Sequence, residues 1–202
     1  MREFAKAGLR LAALVGVLPL LLSYAMCSLL LGKDRALEGS SQTLSLLPGI
    51  AGVYLRRAFL MQVLAHCHKT AVVEFGTLFS QTGARLDENV YVGPRCHLGL
   101  VHIERDALLG PGVHVPSGAR THGTSDPTKP IREQEHVRTV VRIGAGAWIG
   151  SAAVVMADVG AGTVVGAGAV VTKALPARVI AAGVPAKVLK SRDAGPDLGL
   201  GG

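Results

Sequence analysis

The stretch IGAGAWIGSAAVVMADVGAGTVVGAGAVVTKALP, residues 143–176, decides the fold because it repeats with a period of six. Read in sixes from Ile143, it gives IGAGAW, IGSAAV, a short VMAD, VGAGTV, VGAGAV and VTKALP. Every unit opens with Ile or Val, and glycine often follows. A repeat of six residues is the signature of a parallel β-helix, in which each hexad forms a short strand and a turn.

The same pattern continues upstream, from VEFGTL at Val73 to VPSGAR, which ends at Arg120. Fourteen units can be placed in all, and each opens with Leu, Ile, Val or Phe. The fifth place is mostly small or β-branched, as at Thr77, Ala107 and Ala147. Each coil of such a solenoid buries its aliphatic residues only against the neighbouring coils. A chance Gly/Ala/Val-rich tract would not keep fourteen openings in register, so we predict a β-helix over 67–190.

The repeat is interrupted over residues 120–142, where the chain reads RTHGTSDPTKP from Arg120 to Pro130. We predict an excursion loop here, and loops carried by a rigid scaffold often hold functional residues. His122 is the candidate general base, since an imidazole has an ordinary pKa of about 6.5 and removes protons near neutral pH. His136 in the same loop is an alternative base. The acids that could orient the imidazole are Asp126, Glu133 and Glu135.

The first 66 residues form a separate region, which we expect to be helical and membrane-associated. Residues 11–31 contain no charge, and a bilayer span needs about 20 apolar residues. A retained membrane segment fits this run better than a cleaved signal peptide or a buried soluble helix. A second apolar stretch, 44–55, is too short to span but suits an interfacial segment. We expect both segments to dip into one leaflet and leave the C-terminal domain cytoplasmic, although the Lys and Arg count slightly favours the opposite side.

Composition limits the partners. The formal net charge of +7 favours acidic partners such as phosphates, anionic sugars or a membrane surface. Nucleic acid is not expected, because the basic residues are scattered and no aromatic platform accompanies them. The three cysteines are too widely spaced for a disulfide framework or a metal motif. Residues 191–202, SRDAGPDLGLGG, lack the repeat and are expected to form a flexible tail.

The segment 143–192 resembles the end of the left-handed β-helix acyltransferases, the hexapeptide-repeat family that includes galactoside, maltose and serine acetyltransferases. Its most specific parts are AWIG, VVGAGAVVTK and AAGVPAK. The resemblance implies a left-handed parallel β-helix, a homotrimer, and acetyl-CoA bound in the groove between adjacent subunits, with no metal. It also implies a histidine base beside a loop that leaves the coil, and here His122 occupies that place. The implied cofactor-binding residues are Trp148, Gly166, Gly168, Gly183, Pro185 and Lys187.

The N-terminal stretch LSLLPGIAGVYLRRAF further resembles the lead-in of acyltransferases of exopolysaccharide and capsule pathways. We therefore expect an acetyl-CoA-dependent O-acetyltransferase that acts on a sugar hydroxyl of a surface polysaccharide or glycolipid precursor. Three alternatives stay open: a non-catalytic β-helix scaffold or acyl-binding protein, an enzyme like serine acetyltransferase, and an enzyme like the gamma-type carbonic anhydrases. The last would need three converging zinc ligands, and the sequence offers His97 and His102 without a third histidine well upstream.

Overall fold

The computed structural model describes residues 2–193, which form three helices followed by a solenoid of very short strands. The helices are α1 (Arg2–Leu31), α2 (Lys33–Ser45) and α3 (Gly49–Val63). The strands, in chain order, are β1 (His66–Cys67), β2 (Val72–Val73), β3 (Leu78–Phe79), β4 (Arg85–Leu86), β5 (Tyr91–Val92), β6 (His97–Leu98), β7 (Val101–Ile103), β8 (Leu108–Leu109), β9 (His114–Val115), β10 (Val141–Ile143), β11 (Trp148–Ile149), β12 (Val154–Val155), β13 (Val164–Val165), β14 (Val170–Val171), β15 (Val179–Ala182) and β16 (Lys187–Ser191).

The strands stack into three sheets, which are the three faces of a prism. Face A contains β1, β4, β7 and β10; face B contains β2, β5, β8, β11, β13, β15 and β16; face C contains β3, β6, β9, β12 and β14. Pairing is parallel throughout except between β15 and β16. Each coil visits faces A, B and C in turn. The solenoid has about six coils and the left-handed form predicted from the sequence, so the fold prediction is confirmed.

The interior of the prism is a column of aliphatic side chains. All fourteen residues that open the hexads are buried, with at most 2% of their surface exposed: Val73, Phe79, Leu86, Val92, Leu98, Ile103, Leu109, Val115, Ile143, Ile149, Val155, Val159, Val165 and Val171. The small residues of the fifth place, such as Thr77, Ala107 and Ala147, are also buried. The six-residue period therefore assigns the core residues correctly.

The helices cover the N-terminal end of the solenoid. The fully buried Arg56 of α3 connects three segments, because its Nε donates to the carbonyl of Val73 and its Nη1 donates to the carbonyls of Leu44 and Leu47. From α2, the Asp34 carboxylate accepts hydrogen bonds from the backbone and the hydroxyl of Thr82. Terminal coils of a solenoid need such a cover, since their apolar end has no neighbouring coil.

Helix α1 forms the outermost layer and packs on α2 and α3. The part from Ala7 to Leu31 is long and apolar enough to cross a membrane, with a mean hydropathy of 2.2 and only 6% of the residues in its most apolar window buried. The apolar stretch 44–55 is not one element, because α2 ends at Ser45 and α3 begins at Gly49 after Pro48. The side chains of Leu46, in this connection, and of Ile50, in the first turn of α3, are exposed.

The chain ends, as far as the structure describes it, with β16 returning antiparallel along β15. Ser191 pairs with Val179, the Arg192 amide donates to the Arg178 carbonyl, and Arg178 forms an ion pair with Asp193. The first three residues of the expected flexible tail are thus paired with the last coil. The remainder, 194–202, lies outside the described residues.

Candidate active site

The excursion runs from the end of β9 to the start of β10, so it leaves the prism at the corner between faces C and A. Its two arms are hydrogen-bonded near the solenoid: the Thr139 amide donates to the Ser117 carbonyl at 2.9 Å, and the Val137 amide donates to the Arg120 carbonyl at 3.3 Å. A 3₁₀ turn, Ile131–Glu133, lies in its outer part. The loop is therefore attached through a short paired stem.

Gln134 organises the outer part of this loop. Its side chain is 9% exposed, and its Nε2 donates to the carbonyls of Asp126 and Lys129 at 2.8 and 3.0 Å. Its Oε1 accepts a hydrogen bond from the Asp126 amide at 3.1 Å. One amide side chain thus satisfies three backbone groups. These hydrogen bonds define the shape of the loop, which is polar and has almost no apolar core.

The loop brings two imidazoles together. The rings of His122 and His136 meet edge to face with their centroids 4.8 Å apart, and both residues are exposed. The Nδ1 of His136 lies 2.9 Å from the carbonyl oxygen of Thr121, which can only accept, so this nitrogen carries a proton. His136 thereby fixes the backbone immediately before His122.

The carboxylates expected to orient His122 do not contact it. Asp126 accepts hydrogen bonds from the amide and hydroxyl of Thr128, which lower its pKa, and it lies 3.5 Å from the Lys129 ammonium. Glu133 pairs with its neighbour Arg132. No hydrogen bond or ion pair joins His122 to these acids or to Glu135 within residues 2–193. The ring that packs against His122 belongs to His136 instead, because the acids are used in local turns.

A polar pocket of about 190 Å³ lies beneath the loop, on the outer side of face C. Strands β6 and β9 contribute His97 and His114, and α2 contributes Glu38. From the loop and its stem come Thr121, which directly precedes His122, and Arg138. The remaining lining residues are Ser80, Gln81, Gly99, Val115, Pro116 and Ser117. The pocket therefore combines both charge signs, two imidazoles and several hydroxyl or amide groups beside the predicted base.

His97 and His114 occupy the same place on adjacent coils, with their ring centroids 4.9 Å apart. Burial lowers the pKa of His114, and the nearby His97 lowers it further, so His114 favours its neutral form. This pair was not among the predicted site residues. The signal was present, however, because the hexads VGPRCH and LGPGVH both end in histidine and fall one coil apart.

Trp148 lies on the face that is opposite to the loop. It belongs to β11 on face B, pairs with Leu108 and Val164, and has 53% of its surface exposed. The loop with His122 leaves at the corner between faces A and C, which in a three-sided prism is opposite face B. A single chain therefore does not bring Trp148 and His122 together.

The remaining predicted cofactor residues gather at the corner between faces B and C, near the C-terminal end of the prism. Gly166 and Gly168 connect β13 to β14 there. Gly183 and Pro185 follow β15, and this segment exchanges backbone hydrogen bonds with Val170 of β14. Lys187 starts β16 and is exposed. The corner is narrow, since a Cβ on Gly166 would lie 2.8 Å from that of Ala182.

The histidines considered as zinc ligands are separated. His97 projects from face C, whereas His102 belongs to face A, where its Nε2 lies 3.0 Å from Asp87 and its Nδ1 lies 3.3 Å from Arg142. Among residues 7–193, no three His, Cys, Asp or Glu side chains form a group that could hold a metal ion. The spacing of His97 and His102 along the chain therefore does not bring them to one site.

The chain is similar in sequence to two proteins named as acetyltransferases. No family model matches the chain. Galactoside O-acetyltransferase of Escherichia coli is 28% identical over 163 residues, which cover 70% of this chain and 80% of that protein. A probable acetyltransferase of Mycobacterium tuberculosis is 44% identical over 73 residues, 35% of this chain, but the match spans only 24% of that longer protein.

Solved structures agree on the fold. A maltose O-acetyltransferase from Clostridium difficile superposes with a TM-score of 0.65 at 21% identity, covering 78% of this chain and 87% of that one. A galactoside acetyltransferase in complex with coenzyme A gives a TM-score of 0.62 at 23% identity, covering 81% and 84%. The protein is a left-handed β-helix of the hexapeptide-repeat type. Its sequence is similar to that of galactoside O-acetyltransferase, at 28% identity.

Proposed function

We propose that this chain transfers the acetyl group of acetyl-CoA to a sugar hydroxyl of a surface polysaccharide or glycolipid precursor, with His122 as the general base. The imidazole takes the hydroxyl proton while the oxygen attacks the thioester carbonyl carbon. The tetrahedral intermediate collapses with cleavage of the C–S bond, and the imidazolium returns the proton to the departing thiolate. The two substrates react directly, so no covalent enzyme intermediate forms.

The observation that carries this proposal is the exposed His122–His136 pair next to the polar pocket of face C, on a solenoid whose sequence is similar to that of galactoside O-acetyltransferase. A sugar presents several hydroxyls, and each needs a donor or an acceptor. Glu38 and Arg138 supply one charged acceptor and one charged donor to the pocket, and Thr121 places the acceptor beside the base. The pocket thus suits a polar acceptor rather than an apolar one.

The proposed donor site lies at the corner between faces B and C. Trp148 would pack against the pantetheine arm, and the backbone at Gly166 and Gly168 would approach it closely, because glycine has no side chain in the way. The exposed Lys187 would meet the CoA phosphates. Coenzyme A is present in the related galactoside acetyltransferase structure, which supports this class of donor.

We propose a homotrimer because the two half-sites lie on opposite sides of one prism. His122 projects from the corner between faces A and C, and Trp148 from face B. Packing face B of one chain against the loop corner of the next would complete the site three times around a closed ring. We propose that α1 attaches the enzyme to a membrane on the cytoplasmic side, where anchoring would raise the effective concentration of a lipid-linked acceptor.

The first test is calorimetric titration of the detergent-purified chain with acetyl-CoA, followed by CoA release with a panel of glycosides. His122→Ala should lower turnover by a factor on the order of 10² while leaving acetyl-CoA affinity unchanged, because only the proton-transfer group is lost. His66→Ala is the matched control, since this partly exposed histidine lies on face A away from the loop.

Either measurement can overturn the proposal. A folded trimer that does not bind acetyl-CoA would indicate a scaffold. Turnover of His122→Ala close to that of His66→Ala would show that His122 is not the general base.

A further inference from the structure

An apolar groove of about 260 Å³ lies between α1 and α3, away from the pocket of face C. Leu11 and Leu14 of α1 form one wall, and Ala58 and Met61 of α3 form the other. Nothing in the proposed acetyl transfer uses this groove. Its length along two helices and its aliphatic lining suit a hydrocarbon chain.

Two arginines, Arg10 and Arg57, also line the groove. The Nε of Arg10 is buried without a hydrogen-bond partner within residues 7–193. The guanidinium of Arg57 packs 4.5 Å from the ring centroid of Tyr54, and its Nη1 donates to the Ala71 carbonyl at 3.2 Å. No acidic residue lines the groove, and no carboxylate within residues 7–193 forms an ion pair with either arginine. A buried donor without a partner is costly, which points to an anionic ligand that accepts from it.

The groove opens beside a surface that suits a bilayer. Helix α1 packs on α2 and α3 through residues such as Ala13 and Val17. On the opposite side it exposes an apolar stripe at spacings of three and four residues: Val15, Leu18, Leu22, Met26 and Leu29. An apolar helix held flat against a protein can lie in the interface plane with its free side among the acyl chains. Arg10 would then stand at the depth of the lipid phosphates.

We infer that the α1–α3 groove is a binding site for an anionic phospholipid, with the phosphate held by Arg10 and Arg57 and one acyl chain along Leu11, Leu14, Ala58 and Met61. The inference rests on the membrane attachment proposed above but not on the acetyl transfer. A lipid bound in this way would fix α1 against α3. It would therefore orient the solenoid, and the pocket of face C, relative to the membrane surface.

The test is native mass spectrometry of the delipidated full-length chain in detergent, with three probes. Phosphatidylglycerol carries both phosphate and chains, diacylglycerol of the same length carries only chains, and glycerol 3-phosphate carries only the phosphate. We expect phosphatidylglycerol alone to be retained. Arg10→Gln should weaken its retention about tenfold, the equivalent of one charge-assisted hydrogen bond, and Arg10→Lys should weaken it less. Arg35→Gln is the matched control, because this exposed arginine of α2 lies outside the groove.

Equal retention by Arg10→Gln and Arg35→Gln would overturn the inference, as would equal retention of diacylglycerol and phosphatidylglycerol. Tight binding of glycerol 3-phosphate would assign the groove to a soluble phosphate ester instead. Loss of self-association in Arg10→Gln, without any lipid retained by the wild type, would assign the groove to a second copy of the chain. Acetyl-CoA titration of the same samples separates these outcomes from failure of the proposed activity.

Discussion

Replacement of Arg56 by Met tests whether the helices are attached to the solenoid mainly through one buried guanidinium. Arg56 is 2% exposed and donates three hydrogen bonds, to the carbonyls of Val73, Leu44 and Leu47 at 3.0, 3.1 and 2.6 Å. Burial lowers the pKa of Arg56, with Glu74 opposing the shift, so the charge is held at some cost. Met has a similar length and leaves little cavity, but it offers no donor.

Each lost bond costs about 1.5 kcal/mol, because the donor is charged and the carbonyl stays buried. Removal of the buried Arg56 charge offsets about 1.5 kcal/mol of the summed loss from the three bonds. Arg56→Met should therefore lower the free energy of unfolding by about 3 kcal/mol. Urea titration in mild detergent, followed by circular dichroism at the helical minimum, measures this value, and limited proteolysis reports release of the helices.

Arg35→Met is the control for this experiment, since it removes an exposed charge from α2. Its unfolding free energy should stay within about 0.5 kcal/mol of the wild type. If Arg56→Met is equally close to the wild type, the three hydrogen bonds do not determine how the helices are held. The helices would then not be attached to the solenoid mainly through Arg56.

Two further predictions concern the pocket and its loop. Gln134→Ala removes three hydrogen bonds from the excursion, so trypsin should cleave after Arg132 at least several-fold faster while the circular dichroism of the solenoid stays unchanged. Cleavage at the wild-type rate would contradict the role given to Gln134. The lowered pKa of His114 means that the unfolded chain takes up a proton first, at about pH 6.5, so the contribution of His114 to stability is constant above that pH and falls below it. Between neutral and mildly acidic pH, the melting temperature of His114→Asn should fall less than that of the wild type. Equal falls in melting temperature would argue against burial and His97 as the causes of the lowered pKa.

The proposed activity and the groove give the helices two separate tasks. Arg56 and Asp34 attach them to the first coils of the solenoid, whereas the opposite surface of α1 exposes an apolar stripe. One side of the helical layer therefore contacts the solenoid, and the other side suits an apolar surrounding. In this arrangement the pocket of face C, which includes Glu38 of α2, would stand at a fixed distance from the membrane.

Parts of the candidate site could be read from the sequence, and parts could not. The interruption predicted a loop carrying His122 over 120–142; in the structure His122 lies in the connection between β9 and β10, and β10 begins at Val141. The sequence could not decide which side chain meets His122, because Asp126, Glu133 and His136 are all near it along the chain. That choice depends on local turns: Asp126 accepts from Thr128, while the stem turns His136 toward Thr121.

The sequence by itself determined the solenoid and its core. A period of six fixes which residue of each hexad points inward, because every hexad forms the same strand and turn and its strand pairs with a strand of the next coil. The tertiary structure decided how the features outside the prism are placed. The excursion leaves at the corner between faces A and C, so the separation of Trp148 from His122 follows from the three-dimensional stacking of the coils. The same holds for Arg56, because two of its three carbonyl partners, Leu44 and Leu47, lie in segments that the repeat does not describe.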